Sequence, residues 1–388
     1  MKITGYRSLV TQHDWGRPVG DVNGHISGTA TQTDVLVLTT DSGLEGVGVG
    51  AHPDIERVFP GIDGEDPRGV VALYDRMLAR VFKLGHAGSV FGTLGAIDMA
   101  LWDLKAKAAE EPLWRLLGAR DRHVPGYASA LEIALTDEEL VRVYGAFADR
   151  GFGAAKLKGG RWFEHDLRRL RLLEEVFSTT SSAPGLMLDA NESWHRSQAV
   201  RYVSRLEEHV DLVWVEEPVR RWDAAGMAAV RAGIRAGVAS GENLTGLEQL
   251  RPLLDADALD VVQPGASWGI THLLRVSALA HAHDLPVSPI GFTPVIAPAA
   301  ASLPNLLAVE VQDLKPATGM SIDQEFVDGG IVLGDEPGNG ISVDEALLRD
   351  LGAGRGWAEV AGPHVRPPRA GLRLVPEADG GALRTAVS

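Results

Sequence analysis

Between residues 124 and 312 one pattern recurs eight times: a short apolar run, then a helical stretch. The runs are GYASAL (126–131), AAKLKG (154–159), LMLDAN (186–191), LVWVEEP (212–218), GVASGEN (237–243), LDVVQPG (259–265), PVSPIG (286–291) and LLAVEVQ (306–312). Stretches such as DEELVRVYGAFADR and HDLRRLRLLEEVF separate them. Strand–helix alternation implies parallel strands joined by right-handed crossovers. Eight units over about 190 residues fit a (β/α)8 barrel of the TIM type, with a weakly signalled seventh helix. The spacing is short for an open doubly wound sheet with insertions, which is the competing arrangement.

The flanks read differently. VLVLTTDSGLEGVGVG is a hairpin pattern around a DSG turn. The preceding HDWGRPVGDVNGHISG, rich in Gly and polar residues, has no periodicity and reads as a mobile loop. Residues 90–117 have helical spacing, with Leu94, Ile97, Leu101 and Leu104 at i, i+3 and i+4 intervals. Residues 1–122 therefore form an α+β unit and 123–320 the barrel. The Gly-rich segment 321–388 is expected to return to the first unit and end in a partly ordered Pro-, Arg- and Gly-rich tail. The fold class is α/β, a barrel with an N-terminal α+β unit completed by the C-terminal segment.

Composition removes several functions. The 388 residues contain no cysteine, so neither a disulfide framework nor a thiolate metal site is available. The net charge is −15, with no basic stripe of the kind that holds nucleic acid. No run approaches the length of a membrane span, and MKITGYRSLV reads as a first strand rather than a signal peptide. A cytoplasmic protein is expected.

Functional groups of such a barrel sit at the C-terminal ends of its strands. The third run ends in Asp189, with Asn191 two residues on; the fourth ends in Glu216 and Glu217; the fifth ends in Glu242 and Asn243. Three adjacent strands thus deliver carboxylates to one mouth, where they repel one another unless a cation intervenes. Hard oxygen donors without Cys or His point to Mg2+, with Mn2+ as a substitute. A ring of Lys or Arg salt bridges is the alternative. Glu217 follows Glu216 directly, so strand alternation turns its side chain to the opposite face and gives it a structural reading, or at most a role behind the ligands. The second run ends in Lys156 and Lys158, which at i and i+2 face the same way. Paired ammonium groups near a dication are expected to lower at least one lysine pKa, making a general base near neutrality. A solvated lysine pair is the alternative. Lysine and a divalent ion together suit removal of the proton α to a carboxylate, giving a metal-stabilised enolate.

KLK, LDAN, WVEEP and SGEN, in that order, with the helix GAIDMALWDLKAKAAEEPLWRLLGA before them, resemble the enolase superfamily, specifically its mandelate racemase/muconate lactonizing enzyme branch. The likeness covers roughly residues 1–350. It implies Asp189, Glu216 and Glu242 as ligands of one Mg2+, Lys158 as base, and Lys156 as a contact for the substrate carboxylate. It also implies a capping domain whose residue 15–30 loop closes over the mouth, and a homo-oligomer acting on a small carboxylate. Glu310 on the eighth strand stands where racemase relatives place an acid that hydrogen-bonds the intermediate. Trp15, Arg17, Asn23 and His25 in the loop, Asn191, and Trp268 and Phe292 at the mouth are the candidates for substrate contact.

The departures from that pattern bear on the reaction. Racemase relatives carry an Asp on the sixth strand and a His on the seventh, where this chain has Gly265 and Ile290. Muconate lactonizing relatives carry a second lysine on the sixth strand, and residues 259–270 contain none. Two opposed bases are thus disfavoured, and elimination of water from a sugar acid or hydroxy acid is the first reading. Its acid is Lys158 itself or a histidine from elsewhere, with His195 after the third strand as the named candidate and His13, His25 and His86 beside it. A racemase, epimerase or cycloisomerase is the second reading, and a metal-binding barrel without turnover the third.

Overall fold

The computed structural model describes residues 1–26 and 28–353. The N-terminal unit is a three-stranded antiparallel sheet. β1 (Ile3–Asp14) pairs with β4 (Ala30–Thr40), His13 opposite Thr31, and β4 pairs with β5 (Glu45–Val49). The stretch expected to be a mobile loop forms a ribbon of β2 (Val19–Asp21) and β3 (Gly24–Ile26). It is pinned locally and across domains. Asp21 accepts from the Asn23 backbone amide at 2.7 Å, and the Gly20 amide donates to the Leu131 carbonyl at 2.9 Å.

Helices α1 (Ile55–Val58), α2 (Val70–Arg80), α3 (Gly88–Ala108) and α4 (Leu113–Leu116) follow. The single helix expected over 90–117 is two, because Glu110 takes a left-handed φ of 56° and Pro112 precedes the second. Helix α3 is buried on nearly all sides rather than along one face. It lies between the cap sheet and the barrel, and two buried aspartates tie it to both. Asp98 accepts from the Thr271 amide at 2.7 Å and hydroxyl at 2.6 Å; Asp103 accepts from the amides of Val47 and Asn339 at 2.8 Å. A side chain at Gly95 would come within 2.2 Å of the Ser267 carbonyl, so only glycine lets the helix approach the barrel loop this closely.

The barrel then runs as β6 (His123–Ser129), α5 (Asp137–Ala148), β7 (Ala154–Lys158), α6 (Phe163–Phe177), β8 (Gly185–Asp189), α7 (Arg196–Leu206), β9 (Trp214–Glu216), α8 (Ala224–Arg231), β10 (Gly237–Ser240), α9 (Leu247–Asp255), β11 (Val261–Val262), α10 (Ile270–His281), α11 (Ala297–Ala300) and β12 (Val309–Val311). Neighbouring strands are parallel, and β12 closes onto β6 with Glu310 opposite Tyr127. The seventh run makes only isolated bridges, Val262 to Val287, Gly265 to Ile290 and Val287 to Leu306. Pro286 and Pro289 remove ladder donors there. Helix α5 begins with a capping box, in which Thr136 and Glu139 each accept the other's backbone amide.

Alternation along the strands fills the barrel in layers. Tyr127, Met187, Trp214, Ala239 and Val261 form an apolar floor, with the Tyr127 and Trp214 rings edge-on at 5.4 Å. One step nearer the C-terminal ends, Lys156, Asp189, Glu216, Gln263 and Glu310 are completely buried.

The remaining segment adds β13 (Met320–Ile322), β14 (Gln324–Val327), β15 (Gly330–Leu333), β16 (Ile341–Val343) and α12 (Glu345–Ala353). Strand β15 pairs antiparallel with β6, Ile331 opposite Val124, so it is fastened to the barrel. It also returns to the first unit. Thr318 bridges Gln12, Asn339 donates to the Val47 carbonyl at 2.9 Å, and Arg7 binds Glu345. The expected tail lies outside the described residues.

Candidate active site

The mouth of the barrel and the underside of the cap enclose a cavity of about 480 Å3. Thr11 and His13 of β1, with Trp15 just past its end, form its roof together with Thr31 and Thr33 of β4. Lys158, Asn191, Glu242 and Asn243 line one wall. The sequence 265–268, Ile290, Phe292 and Asp313 line the other.

The charged wall is a ladder. Lys158, Asp189 and Glu216 are register partners across β7, β8 and β9, so their side chains rise side by side. The Lys158 Nζ donates to Asp189 Oδ2 at 2.5 Å. Beneath it Lys156 Nζ lies 2.5 Å from Glu216 Oε1, 2.9 Å from Glu310 Oε1 and 3.7 Å from Asp189 Oδ2. Glu310 also accepts from the Gly291 amide at 2.7 Å and from Gln312 at 3.0 Å. Gln263 donates to the second Glu216 oxygen at 2.7 Å.

Burial opposes the charge on both lysines, but the carboxylates outweigh it. Asp189 and its neighbours raise Lys158, and Glu216 and Glu310 raise Lys156 well above its ordinary range. The lowered lysine pKa expected from the sequence is therefore absent from this arrangement: each ammonium sits on a carboxylate rather than against its twin. Burial likewise opposes ionisation of Asp189, yet Lys158 and Lys156 hold its carboxyl down to about 2. Glu216 goes the other way, pushed up to about 8 by burial and then by Asp189.

Glu217 corrects a second expectation. Strand β9 stops at Glu216, and Glu217 turns into the left-handed region at φ 42°, so alternation no longer governs its direction. Its carboxylate accepts from Asn243 at 3.2 Å, and burial followed by Glu242 raises its pKa well above the usual range. Asn191 and Glu192 are left-handed too, at φ 43° and 58°. Three such residues at adjacent strand ends mark backbone strain held in place by the surrounding fold. Glu242 keeps part of its surface open to the mouth, while burial raises its pKa, with Lys158 partly offsetting this.

Two ammonium groups therefore face five carboxyl groups: Asp189, Glu216, Glu217, Glu242 and Glu310. Burial first, and neighbouring carboxylates after it, raise Glu216, Glu217 and Glu242, and this hard-oxygen donor set, richer in carboxyl groups than in ammonium groups, fits a divalent cation. As the side chains stand, the lysines occupy the space between the carboxylates. Among the described residues no three of His, Cys, Asp and Glu are grouped as an ion would hold them.

The opposite wall is mostly apolar. Gly265 and Ile290 bridge each other, and Ile290 is buried. A Cβ on Gly265 would meet the Glu242 carbonyl at 2.5 Å and Trp268 Nε1 at 2.6 Å. The indole fills that space and donates to the Glu242 carbonyl at 2.5 Å. An aspartate therefore has no room at position 265 unless Trp268 leaves.

Of the residues singled out in the sequence, Lys158, Glu242, Asn191, Trp15 and Trp268 line the cavity. Lys156, Asp189, Glu216 and Glu310 lie buried beneath it. Arg17, His25 and His195 are not among the lining residues. His195 is exposed at the start of α7 and contributes nothing to the cavity lining. Arg17 is largely desolvated, which lowers its pKa, and its Nη1 is buried without a hydrogen bond. His86 is turned toward Glu248 on the outside. Sequence reasoning missed Glu132, which accepts from the Lys158 backbone amide at 2.6 Å and from the Tyr144 hydroxyl at 2.9 Å, bracing the strand that carries the lysine. Its signal was available: an acid directly after the first run. Gln263 and Asp313 were missed as well. Both lie in or beside strand runs and carry no motif.

Comparison with known proteins fits this geometry. Residues 139–347 match the family described as enolase C-terminal domain-like, and residues 17–118 match the mandelate racemase/muconate lactonizing enzyme N-terminal domain. L-Talarate/galactarate dehydratase of Salmonella typhimurium is 30% identical over 289 residues, 70% of this chain and 72% of that protein. 3,6-Anhydro-alpha-L-galactonate cycloisomerase of Streptomyces coelicolor is 32% identical over 294 residues, 75% and 80% of the two chains. A crystal structure of a racemase from Streptomyces coelicolor with bound magnesium superposes with a TM-score of 0.82 at 27% identity, covering 90% of this chain and 99% of that one.

Proposed function

This chain belongs to the mandelate racemase/muconate lactonizing enzyme branch of the enolase superfamily, and from that premise we propose that it is a Mg2+-dependent dehydratase of sugar acids. The observation that carries the reading is the ladder of Lys158, Asp189 and Glu216 beside Glu242 at the edge of the cavity. It sets next to a cluster of hard oxygen donors one lysine, which a dication on Asp189 would release from its ion pair to act as proton acceptor. The magnesium in the racemase structure and the dehydratase activity that the Salmonella relative is named for both support it.

Asp189, Glu216 and Glu242 would hold the ion. When bound, Mg2+ supplies a fixed positive charge against the negative charge that develops as an α-proton leaves. The chain does the rest. Lys158 Nζ takes the α-proton, held to its strand by the Glu132 bond to its own amide. Lys156, fully buried on Glu216 and Glu310, fixes positive charge between the apolar floor and the cavity. Lys156, Asp189, Glu216 and Glu310 are completely buried, so these charges act in a low dielectric. The expected product is a 2-keto-3-deoxy acid.

The test is a panel of hexonic and hexaric acids, galactarate included, incubated with enzyme and Mg2+. Semicarbazide detects a keto product, and D2O reports exchange of the α-hydrogen. Keto product supports dehydration. Exchange with an isomeric product and no keto acid favours the second reading, an isomerase, which the cycloisomerase relative supports. Neither exchange nor product across the panel overturns both. Assembly as a homo-oligomer belongs to the same proposal, and light scattering checks it.

A further inference from the structure

Besides Lys158, the cavity is lined by one other nitrogen base among the described residues, His13. It comes from the cap sheet, not from the barrel. Its Nε2 lies 2.8 Å from Asp313 Oδ2, and the other Asp313 oxygen accepts the Leu314 backbone amide at 2.7 Å. The carboxylate is thus oriented by the backbone, and it orients the imidazole in turn. The ring is further fixed by Trp15, with centroids 4.3 Å apart, and by Phe292, edge-on at 6.4 Å. The His13 side chain is only 10% exposed and that of Asp313 22%. With Nε2–H donated to Asp313, the Nδ1 has no hydrogen-bond partner among the described residues, and the residue lines the cavity.

Both partners come from outside the positions where the resemblance led one to look. The sixth and seventh strands offer Gly265 and Ile290, and Trp268 occupies the space an acid at 265 would need. A carboxylate-oriented imidazole nevertheless faces this cavity, built from β1 and the segment after β12.

We propose that His13 is the general acid of the reaction, positioned by Asp313. The inference rests on the dehydratase reading above. Lys158 takes the α-proton, and the electron pair moves into the adjoining carboxylate. That pair then returns to form the Cα=Cβ bond as the Cβ–O bond breaks. The proton on His13 Nδ1 passes to the departing oxygen, which leaves as water. The enol left behind becomes the 2-keto acid by moving its hydroxyl proton to Cβ through solvent, while Lys158 gives up its proton and His13 regains one. Atoms and charge balance with no further reactant. The acid acts from the roof and the base from the barrel wall, so the two roles fall to two domains.

The experiment uses the full-length enzyme with Mg2+ and the panel acid it dehydrates best. In His13→Gln, α-hydrogen exchange in D2O is expected to persist while keto-acid formation falls by about 100-fold or more, within the range typical of a lost general acid. The 3-chloro-3-deoxy analogue of the same acid separates chemistry from folding, because chloride leaves without a proton. His13→Gln should process it at close to the wild-type rate. Asp313→Asn should lower kcat for the hydroxy acid with little change in KM, and leave the chloro analogue unaffected. Dehydration by His13→Gln at the wild-type rate overturns the assignment, and so does an equal loss on both substrates. A wild-type enzyme that neither exchanges nor eliminates on any panel acid overturns the dehydratase reading itself, which is a different result.

Discussion

The two walls of the cavity are built in opposite ways. On the side of β7, β8 and β9, the groups that matter are register neighbours in one sheet, and each charge meets its partner a strand away. On the far side, the lining comes from β1, β4, residues 265–268, the seventh run and the segment after β12, which meet only in the folded molecule. The first wall is dense in charge and fully buried at its base. The second is apolar, with His13 and Asp313 set into it. A cluster of carboxylates needs rigid spacing, which adjacent strands provide. A wall that shapes one substrate needs variety, which loops and a second domain provide.

Four changes test this contrast. The largest effect is expected at the charged wall. Lys158→Ala should abolish α-hydrogen exchange in D2O, a loss on the order of 10⁴-fold, with Mg2+ binding retained by calorimetry. Surviving exchange would move the base elsewhere.

The next concerns how the cap is latched to the apolar wall. Asp98 is buried in α3, and burial lifts its carboxyl to about 7 despite the bonds from Thr271. Its folded pKa thus lies above the unfolded value, and the unfolded chain releases this proton first as pH rises. The protonated latch contributes fully below about pH 4, and its contribution is lost as pH climbs to 7, on the order of 4 kcal/mol in all. Denaturant titrations of wild type and Asp98→Asn across this window should differ in slope. Parallel curves would mean that the carboxyl is ionised in the fold.

Third, Asp189→Asn should weaken Mg2+ binding by about 100-fold, since even groups that merely orient ligands contribute on this scale. Unchanged affinity would remove Asp189 from the ligand set. The smallest effect is expected at Gly265→Ala. The added carbon meets the Glu242 carbonyl and Trp268, and overpacking of this kind costs roughly 1–3 kcal/mol. Thermal unfolding checks it, and quenching of Trp268 fluorescence by acrylamide reports whether the indole has moved. An unshifted melting temperature would show that the wall yields.

Much of the first wall was legible in the chain. Lys156, Lys158, Asp189 and Glu216 each end a short apolar run, and period-two alternation puts them on the inner face, whereas Glu242 lies past the end of β10, out of phase with Ala239, and lines the cavity from the following turn. The barrel was legible for the same reason, even to its weak seventh helix, now the four-residue α11. Reading failed where the backbone left regular geometry. Glu217 escaped alternation through a left-handed φ, and the stretch read as a mobile loop became a ribbon because Leu131 and Asp21 offered acceptors for its amides. The lysine pKa turns on contacts that spacing does not encode. Which charge stands nearest an ammonium is a matter of ångströms, and Asp189 came closer to Lys158 than its twin did.

The sequence by itself determined the strand order, the inward-facing residues and the set of charges at one mouth, because these follow from local periodicity and from a topology with few alternatives. Only the tertiary structure decided what faces those charges. His13 and Asp313 are 300 positions apart in the chain. Nothing in local spacing joins them; the docking of the cap sheet on the barrel does, through buried contacts that exist only once both units have folded.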